Sequence, residues 1–170
     1  FAVLLGDDVV YNDERPALKQ MIDVYNEVGS TVLGCQEVPQ EKVSSYGIIK
    51  GVPVELPQDV MRVVDMIEKP SLAEAPSRLA VLGRYIITPD VFDVLKHTAP
   101  GKGGEIQLTD ALKVMASRES VYAYCFQGKR YDVGDKLGFL KATVEYALRR
   151  DDLGGPFRVY LQELLKETNE

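Results

Sequence analysis

Short apolar runs alternate with amphipathic segments along the chain, and this alternation predicts strands and helices in turn. The apolar runs lie at 1–5, 30–38, 46–50, 60–67, 79–88 and 121–127. Apolar residues recur at spacings of three and four in the segments 16–28, 89–96, 105–117, 135–149 and 156–166. Such spacing is typical of helices that pack one face against a sheet. The pattern therefore predicts an α/β protein.

Capping residues give boundaries for the predicted helices. Asp13, Thr88 and Asp135 precede three of them and are candidate N-caps, because their side-chain oxygens accept hydrogen bonds from backbone amides. Pro16 suits a first helical turn, and Gly29 suits a helix end. Strand, helix and strand near the N-terminus form a βαβ unit, for which we expect parallel pairing and a right-handed crossover. The runs 46–50 and 60–67 are predicted partners of a hairpin connected by 51–59.

The first apolar run, Phe1–Leu5, leads into Gly6 and two adjacent carboxylates, Asp7 and Asp8. This pattern predicts a buried parallel strand with acidic residues at its carboxyl end, where ligands bind in open α/β sheets. Successive strand residues point to opposite faces, so only one of the two carboxylates faces a given ligand such as a divalent cation. The alternative is that both simply terminate the strand. Because the chain begins inside this strand, we expect a fragment that lacks an N-terminal part.

Composition and charge restrict the class of protein. The 170 residues are 45% apolar and 27% charged, which predicts one soluble domain over 1–170. The net charge of −6 disfavours nucleic acid and anionic membranes as partners. We expect no transmembrane helix and see no signal peptide. Cys35 and Cys125 lack C-x-x-C spacing and are predicted to be reduced, which favours a cytoplasmic location.

Charged residues stand at the ends of several predicted strands. They are Asp7 and Asp8, then Glu68 and Lys69, then Asp132 with Lys129 and Arg130 nearby. If the strands form one sheet, these ends converge on one crevice. Two carboxylates suit Mg²⁺, a lysine suits a phosphate, and a glutamate accepts hydrogen bonds from sugar hydroxyls. The alternative for each is a solvated charge at a strand end.

Two further residues have both a functional and a structural interpretation. Gly47 lies inside a predicted strand, where glycine marks either close approach of a ligand or a bulge. His97, the only histidine, ends a predicted helix and is interpreted as a capping or solvent-facing residue.

Five motifs occur in an order that resembles a known family. They are LLGDD at 4–8, SSYGIIK at 44–50, IEKP at 67–70, GGEIQLTDAL at 103–112 and YDVGDKLGFLKATVEYAL at 131–148. Together they resemble the C-terminal portion of the bacterial UTP–glucose-1-phosphate uridylyltransferases (UDP-glucose pyrophosphorylases) of the sugar-nucleotidyltransferase family. The resemblance implies the nucleotide-diphospho-sugar transferase fold, a Rossmann-like mixed, mostly parallel sheet flanked by helices.

The resemblance also implies roles for individual residues. Asp7 and Asp132 match the ligands of a catalytic Mg²⁺ ion, and Lys69 matches the lysine that contacts the sugar's phosphate. Gly47 matches the glycine whose backbone approaches the sugar, and Glu68 matches the glutamate that binds sugar hydroxyls. Asp8 matches no ligand position, in agreement with the alternation of strand faces.

Other charged residues receive no firm role from the resemblance. Glu105 and Asp110 lie in its most characteristic motif, with helix capping and subunit contact as structural interpretations. Arg130 is a plausible phosphate neighbour only by its position beside Asp132.

The implied reaction joins UTP and glucose 1-phosphate to give UDP-glucose and pyrophosphate, in a homo-oligomer. The family's glycine-rich nucleotide loop, of the G-x-G-x-R type, does not occur in this chain, so we expect the chain alone to be inactive. Three alternatives stay open. They are another sugar-1-phosphate nucleotidyltransferase, a non-catalytic sugar-phosphate-binding or assembly fragment, and a phosphatase that uses Asp7 as nucleophile. The lack of a D-x-D pattern after the first strand disfavours the last.

Overall fold

The computed structural model describes residues 1–56, 59–118 and 120–168. Contacts group these residues into two compact units. The first unit comprises Phe1–Gly6 and Tyr11–Lys129, and the second comprises Asp7–Val10 and the residues from Arg130 onward. The single domain expected over 1–170 stays a prediction.

Eight strands form two sheets in the described part of the chain. The strands are β1 (Ala2–Leu4), β2 (Asp8–Tyr11), β3 (Val32–Glu37), β4 (Gly47–Pro53), β5 (Val60–Glu68), β6 (Leu79–Ile86), β7 (Tyr122–Cys125) and β8 (Lys129–Asp132). Six of them form the sheet of the first unit in the order β1-β6-β3-β7-β5-β4, whereas β2 and β8 pair separately. The sequence pattern missed β2 and β8, because each is only four residues long and β8 is also largely polar.

The predicted α/β fold with a mixed sheet is confirmed, but its neighbouring strands are paired differently from the expectation. Among the described strands of the large sheet, β3 and β7 are parallel neighbours and the other pairs are antiparallel. Strands β1, β3, β4 and β7 nevertheless run in one direction. The strands of the predicted βαβ unit, β1 and β3, are not neighbours because β6 lies between them.

Strand β1 corrects a second expectation. It was predicted to be buried and parallel, yet it occupies the edge of the sheet and pairs antiparallel with β6 alone. Leu4 and Leu5 are 50% and 45% exposed. An apolar run indicates a strand, but it does not show which strands lie beside it in the sheet.

Helices occupy the amphipathic segments. They are α1 (Ala17–Val28), α2 (Val91–Leu95), α3 (Leu108–Arg118), α4 (Lys136–Arg149) and α5 (Gly154–Glu167), with short 3-10 helices at Gln40–Ser45 and Lys102–Gly104. Gly29 ends α1 in the left-handed conformation, with φ of 63°, as predicted. The Asp135 side chain accepts a hydrogen bond of 2.9 Å from the Gly138 amide, which confirms it as the N-cap of α4.

Two predicted N-caps are wrong. Helix α1 begins after Pro16 without a side-chain cap, and Asn12, not Asp13, accepts hydrogen bonds from the amides of Glu14 and Arg15. The Asn12 side chain therefore forms a turn before the helix. The cap position of α2 is Asp90, while the hydroxyl of Thr88 contacts that of Thr31. The predicted hairpin connection at 51–59 is partly strand, and its positions 57 and 58 lie outside the described residues.

The core of the first unit lies between its sheet and helix α3. Ala111, Leu112 and Met115 of α3 are buried and belong to one apolar cluster with Val63 and Met66 of β5. An ion pair of 2.7 Å between Lys113 and Asp65 lies on the same α3–β5 contact. These contacts fix the N-terminal turn of α3 against the end of β5.

In the second unit, a polar cluster ties β8 to α4. The Tyr131 hydroxyl donates to Glu145 at 2.7 Å, and Arg149 donates to both residues. Burial and the hydrogen bond to Glu145 raise the pKa of Tyr131. None of the helices among the described residues combines the length and apolarity that a membrane span requires.

Candidate functional site

Three elements of the first unit meet at Glu68. Glu68 ends β5, and its partner in the antiparallel register is Gly47 of β4. Thr109, in the first turn of α3, donates a hydrogen bond of 2.5 Å from its hydroxyl to Oε2 of Glu68. A Cβ at Gly47 would lie 3.0 Å from that Oε2 and 3.3 Å from the Thr109 hydroxyl oxygen. Because Gly47 has no side chain, the Glu68 carboxylate can occupy this space.

Lys69 has a backbone conformation that side chains rarely adopt. Its φ is 44°, a positive value that no other non-glycine residue of the described chain shares. Its amide donates a hydrogen bond of 3.0 Å to the Tyr46 carbonyl, and the buried Pro70 follows. Non-glycine residues held in this region cost on the order of 1 kcal/mol and cluster at functional sites. The turn exposes the Lys69 side chain at the end of β5.

A cleft of about 280 Å³ opens beside these residues. Glu68, Lys69, Gly103, Glu105 and Gln107 line it. The cleft thus joins the Glu-Lys pair to the loop that precedes α3. It also places Glu105, which has no functional role in the sequence prediction, at the same opening. One ammonium group and two carboxylates suit a ligand that has both an anionic group and hydroxyls.

The second unit brings Asp7 and Asp132 together. The Val133 amide donates a hydrogen bond of 2.8 Å to the Asp7 carbonyl. Oδ2 of Asp7 and Oδ1 of Asp132 lie 3.5 and 3.4 Å from the point where a Cβ on Gly134 would stand. The two carboxylates therefore share one small region of space next to a residue without a side chain.

Asp8 points to a different partner. Its carboxylate receives hydrogen bonds from Nε and Nη2 of Arg130, the latter at 3.1 Å. Arg130 also lies 3.6 Å from Oδ2 of Asp132. The side chains of Arg130 and Asp8 are only 14% and 9% exposed, whereas Asp7 is exposed. Asp7 lies in a turn and Asp8 is the first residue of β2, so their different environments do not come from the predicted alternation along the first strand.

The start of α4 holds the backbone of Asp132 in place. A Cβ on Gly138 would come within 1.8 Å of the Asp132 carbonyl oxygen, so only glycine permits this approach. Tyr131, the preceding residue, is buried and bonded to α4 through Glu145. The position of the Asp132 backbone is thus defined by neighbours on both sides.

The residues of this second group fit a magnesium ion. The described residues contain no group of three or more His, Cys, Asp or Glu side chains arranged to hold a metal. Magnesium is typically bound by one or two carboxylates and takes its other ligands from water and substrate phosphates. Asp7 and Asp132 provide two such carboxylates, each with an oxygen within 3.5 Å of the position where a Cβ on Gly134 would stand.

The structure groups the predicted site residues into two sets, one in each unit. Gly47 and Glu68 meet in the first unit with Lys69 adjacent, and Asp7 and Asp132 meet in the second. Convergence of all five on one crevice stays a prediction. His97 is exposed, and its Nδ1 lies 2.9 Å from the Asp93 carbonyl oxygen, as a helix-end residue should.

Sequence reasoning missed the contact of Thr109 with Glu68 and the pairing of Arg130 with Asp8. Thr109 is 41 positions from Glu68, and only its place within the GEIQLTD motif marked it. Arg130 was noted as a neighbour of Asp132, but its pairing with Asp8 across 122 positions had no local signal.

Comparison with known proteins gives a consistent result. The Nucleotidyl transferase family profile matches residues 1–148. A UTP--glucose-1-phosphate uridylyltransferase of Staphylococcus epidermidis is 48% identical over 164 residues, which are 96% of this chain and 56% of the relative. The chain thus spans little more than half the length of that curated relative.

Solved structures agree. A crystal structure of UDP-glucose pyrophosphorylase complexed with UDP-glucose matches with a TM-score of 0.83 and 46% identity, over 88% of this chain and 56% of that one. A UTP-bound UGPase from Acinetobacter baumannii matches with a TM-score of 0.84 and 35% identity, over 96% of this chain and 56% of that one. Since the family profile covers most of its length, the chain belongs to the nucleotidyl transferase family.

Proposed function

We propose that this chain provides the sugar-phosphate and metal sites for uridylyl transfer from UTP to glucose 1-phosphate, which yields UDP-glucose and pyrophosphate. The observation that carries the proposal is the 48% identity, over 96% of the chain, with an enzyme named for this reaction. The arrangement of Gly47, Glu68 and Lys69 supports it, because it combines a hydroxyl acceptor with a phosphate-binding cation at one cleft.

Each of the three candidate residues in the first unit has a definite role in this proposal. The Glu68 carboxylate accepts hydrogen bonds from sugar hydroxyls, and the ammonium group of Lys69 binds the phosphate of glucose 1-phosphate. Gly47 lets the sugar approach the backbone of β4. The charge of Lys69 also reduces the repulsion between this phosphate and the triphosphate of UTP.

The chemical step needs no general base. A phosphate oxygen of glucose 1-phosphate, already anionic near neutral pH, attacks the α-phosphorus of UTP in line. The new P–O bond forms as the bond to the β-phosphate oxygen breaks, and pyrophosphate leaves with the electron pair. Catalysis then depends on positioning and on charge neutralisation by the binding groups.

Asp7 and Asp132 would hold Mg²⁺ in the second unit. When bound, the ion supplies charge neutralisation for phosphate oxygens. Asp8 takes no part in this binding, because Arg130 occupies its carboxylate.

Location and assembly follow as further proposals. We infer a cytoplasmic protein, because Cys35 and Cys125 are register partners on β3 and β7 yet are free thiols. We also infer a homo-oligomer, since Leu140, Tyr160 and Leu165 of α4 and α5 are all more than half exposed, at 58%, 55% and 62%. Light scattering of the purified chain tests the second inference, which a monomeric mass at all concentrations contradicts.

A reconstituted reaction tests the main proposal. The N-terminal part of the Staphylococcus epidermidis relative is joined to Phe1, and release of pyrophosphate is measured with glucose 1-phosphate and Mg²⁺. We expect turnover with UTP and none from the 170-residue chain alone. Preference for another sugar 1-phosphate over glucose 1-phosphate would indicate a different nucleotidyltransferase, and release of inorganic phosphate would indicate a phosphatase. A properly folded fusion without turnover would contradict the proposal and favour the alternative that this chain is a non-catalytic binding fragment.

A further inference from the structure

We propose that Thr109 is a positioning residue for the Glu68 carboxylate, and that it thereby sets the affinity for the sugar. The proposal deepens the proposed function and rests on the role of Glu68 in binding sugar hydroxyls. Its basis is the hydrogen bond of 2.5 Å from the Thr109 hydroxyl to Oε2 of Glu68.

The carboxylate is confined from two directions. Thr109 approaches Oε2 from α3, and the backbone of Gly47 on β4 comes so close that an added Cβ would stand 3.0 Å from the same atom. Since Gly47 and Glu68 are register partners, this approach is fixed by the β4–β5 ladder. The orientation of the carboxylate is thus set by one donor and one close backbone contact.

The donor itself is held rigidly. Thr109 is β-branched and lies in the first turn of α3, so its χ1 angle has few accessible values. The next turns of α3 are anchored through the buried side chains of Leu112 and Met115. The Thr109 hydroxyl therefore has a fixed position before any ligand arrives.

This geometry divides the acceptor capacity of Glu68. An ionised carboxylate accepts hydrogen bonds at two oxygens and donates none. Thr109 occupies one acceptor position on Oε2, which leaves Oε1 and the remaining position on Oε2 for adjacent sugar hydroxyls. Without the hydroxyl of Thr109, the sugar itself would have to order the carboxylate. The entropy cost of that ordering would then reduce the free energy of sugar binding.

Thr109 acts through Glu68 and not on the sugar directly. Glu68 lines the cleft of about 280 Å³, and Thr109 is not among the lining residues in the described part of the chain. Substitution of Thr109 should therefore weaken sugar binding while leaving the proposed binding of Mg²⁺ by Asp7 and Asp132 unchanged.

The test measures binding of UDP-glucose in the presence of Mg²⁺, and of Mg²⁺ alone, to the full 170-residue chain by titration calorimetry. For Thr109→Val, which keeps the shape of the side chain but removes the donor, we expect affinity for UDP-glucose to fall by about fivefold, the value of one hydrogen bond. Affinity for Mg²⁺ alone should stay the same. Thr109→Ser should restore most of the loss, because it returns the hydroxyl.

Two further variants separate a positioning role from a structural one. Ser117→Ala removes a hydroxyl from the exposed side of the same helix, where it bonds only locally to the Val114 carbonyl, and should leave both affinities unchanged. In a Glu68→Gln background, Thr109→Val should have a smaller effect than it has alone, because the two residues act as a unit. Thermal unfolding of each variant checks that it is folded.

The outcomes distinguish this inference from the proposed function. If Glu68→Ala binds UDP-glucose as tightly as the unchanged chain, or if the unchanged chain does not bind it, the proposed sugar site is wrong. If Glu68→Ala weakens binding but Thr109→Val lowers only the unfolding temperature, Thr109 is merely structural and this inference is overturned. Equal losses of affinity for Mg²⁺ alone and for UDP-glucose in Thr109→Val also overturn it.

Discussion

Arg130 holds the carboxylate of Asp8 with two of its nitrogen atoms, Nε and Nη2. Both side chains are largely buried, at 14% and 9% exposure. Two adjacent aspartates thus have different environments, since Asp8 is neutralised by a guanidinium while Asp7 stays exposed beside Asp132. Because Asp8 is paired with Arg130, Asp7 is the carboxylate of these two that is proposed to bind a metal ion.

Removal of the guanidinium should destabilise the chain strongly. In Arg130→Met, Asp8 stays buried without its main cationic partner, and breaking such a buried pair costs about 3 kcal/mol. Urea unfolding measures the change. The matched control is Arg150→Met, whose exposed pair with Asp152 should contribute less than about 1 kcal/mol. Similar losses for the two variants would contradict the structural role given to Arg130.

Substitution of either metal-binding candidate should act on Mg²⁺ binding rather than on folding. Asp7→Asn and Asp132→Asn keep the side-chain size but remove a charged oxygen donor. We expect Mg²⁺ affinity to fall by more than about tenfold, since even changes outside the ligand shell cost that much. Calorimetric titration with Mg²⁺ is the measurement, and unfolding curves serve as the folding control. Unchanged affinity in both variants would refute the metal assignment.

Gly47 offers a steric test of the sugar site. In Gly47→Ala, the new methyl group would meet Oε2 of Glu68 and the Thr109 hydroxyl, so the carboxylate must turn away. Displacements of this size weaken binding sharply, and we expect about a tenfold loss of affinity for UDP-glucose. Gly51→Ala is the control, because it perturbs the same hairpin through Met61 and does not touch Glu68. Loss of sugar affinity in the control as well would argue against a local effect.

Stability should decrease in alkaline solution because of Cys35. Complete burial raises the pKa of this thiol well above its ordinary value of 9.0. Below pH 9 the thiol is neutral in the folded and unfolded chain alike, so the full stability is present. As the pH rises past that value, the unfolded thiol ionises first and the free energy of unfolding falls.

The comparison of two variants isolates this effect. Urea unfolding at pH 7 and pH 10 should show a smaller alkaline loss in Cys35→Ala than in the unchanged chain. Cys125→Ala should reduce the loss less, because this thiol is only partly buried. An identical pH dependence in all three proteins would contradict the attribution to Cys35.

The sequence predicted the local structure better than the pairing of strands. Helix α4 and its cap at Asp135 follow from side-chain spacing and local hydrogen bonding, which depend on neighbouring residues only. The insertion of β6 between β1 and β3 depends on contacts between distant parts of the chain, so no local pattern indicated it. Short polar strands such as β8 carry too little apolar alternation to be recognised.

The same distinction holds for the candidate site. Asp7, Glu68 and Lys69 were found because they follow apolar runs, a feature visible in the sequence. The contact of Thr109 with Glu68 arises from the packing of α3 against β5, and the pairing of Arg130 with Asp8 arises from the β2–β8 ladder. The structure is thus needed to identify the partners of a site residue, whereas the sequence alone identifies the residue itself.

The most direct test of the central claim is a titration of the chain with UDP-glucose in the presence and absence of Mg²⁺. We predict binding that requires Mg²⁺, that is lost in Asp7→Asn and that is weakened in Glu68→Ala. This result would show that the chain holds both the metal and the sugar sites of a uridylyltransferase. Binding that is independent of Mg²⁺ and unchanged in both variants would contradict the claim, as would the absence of binding by the folded chain.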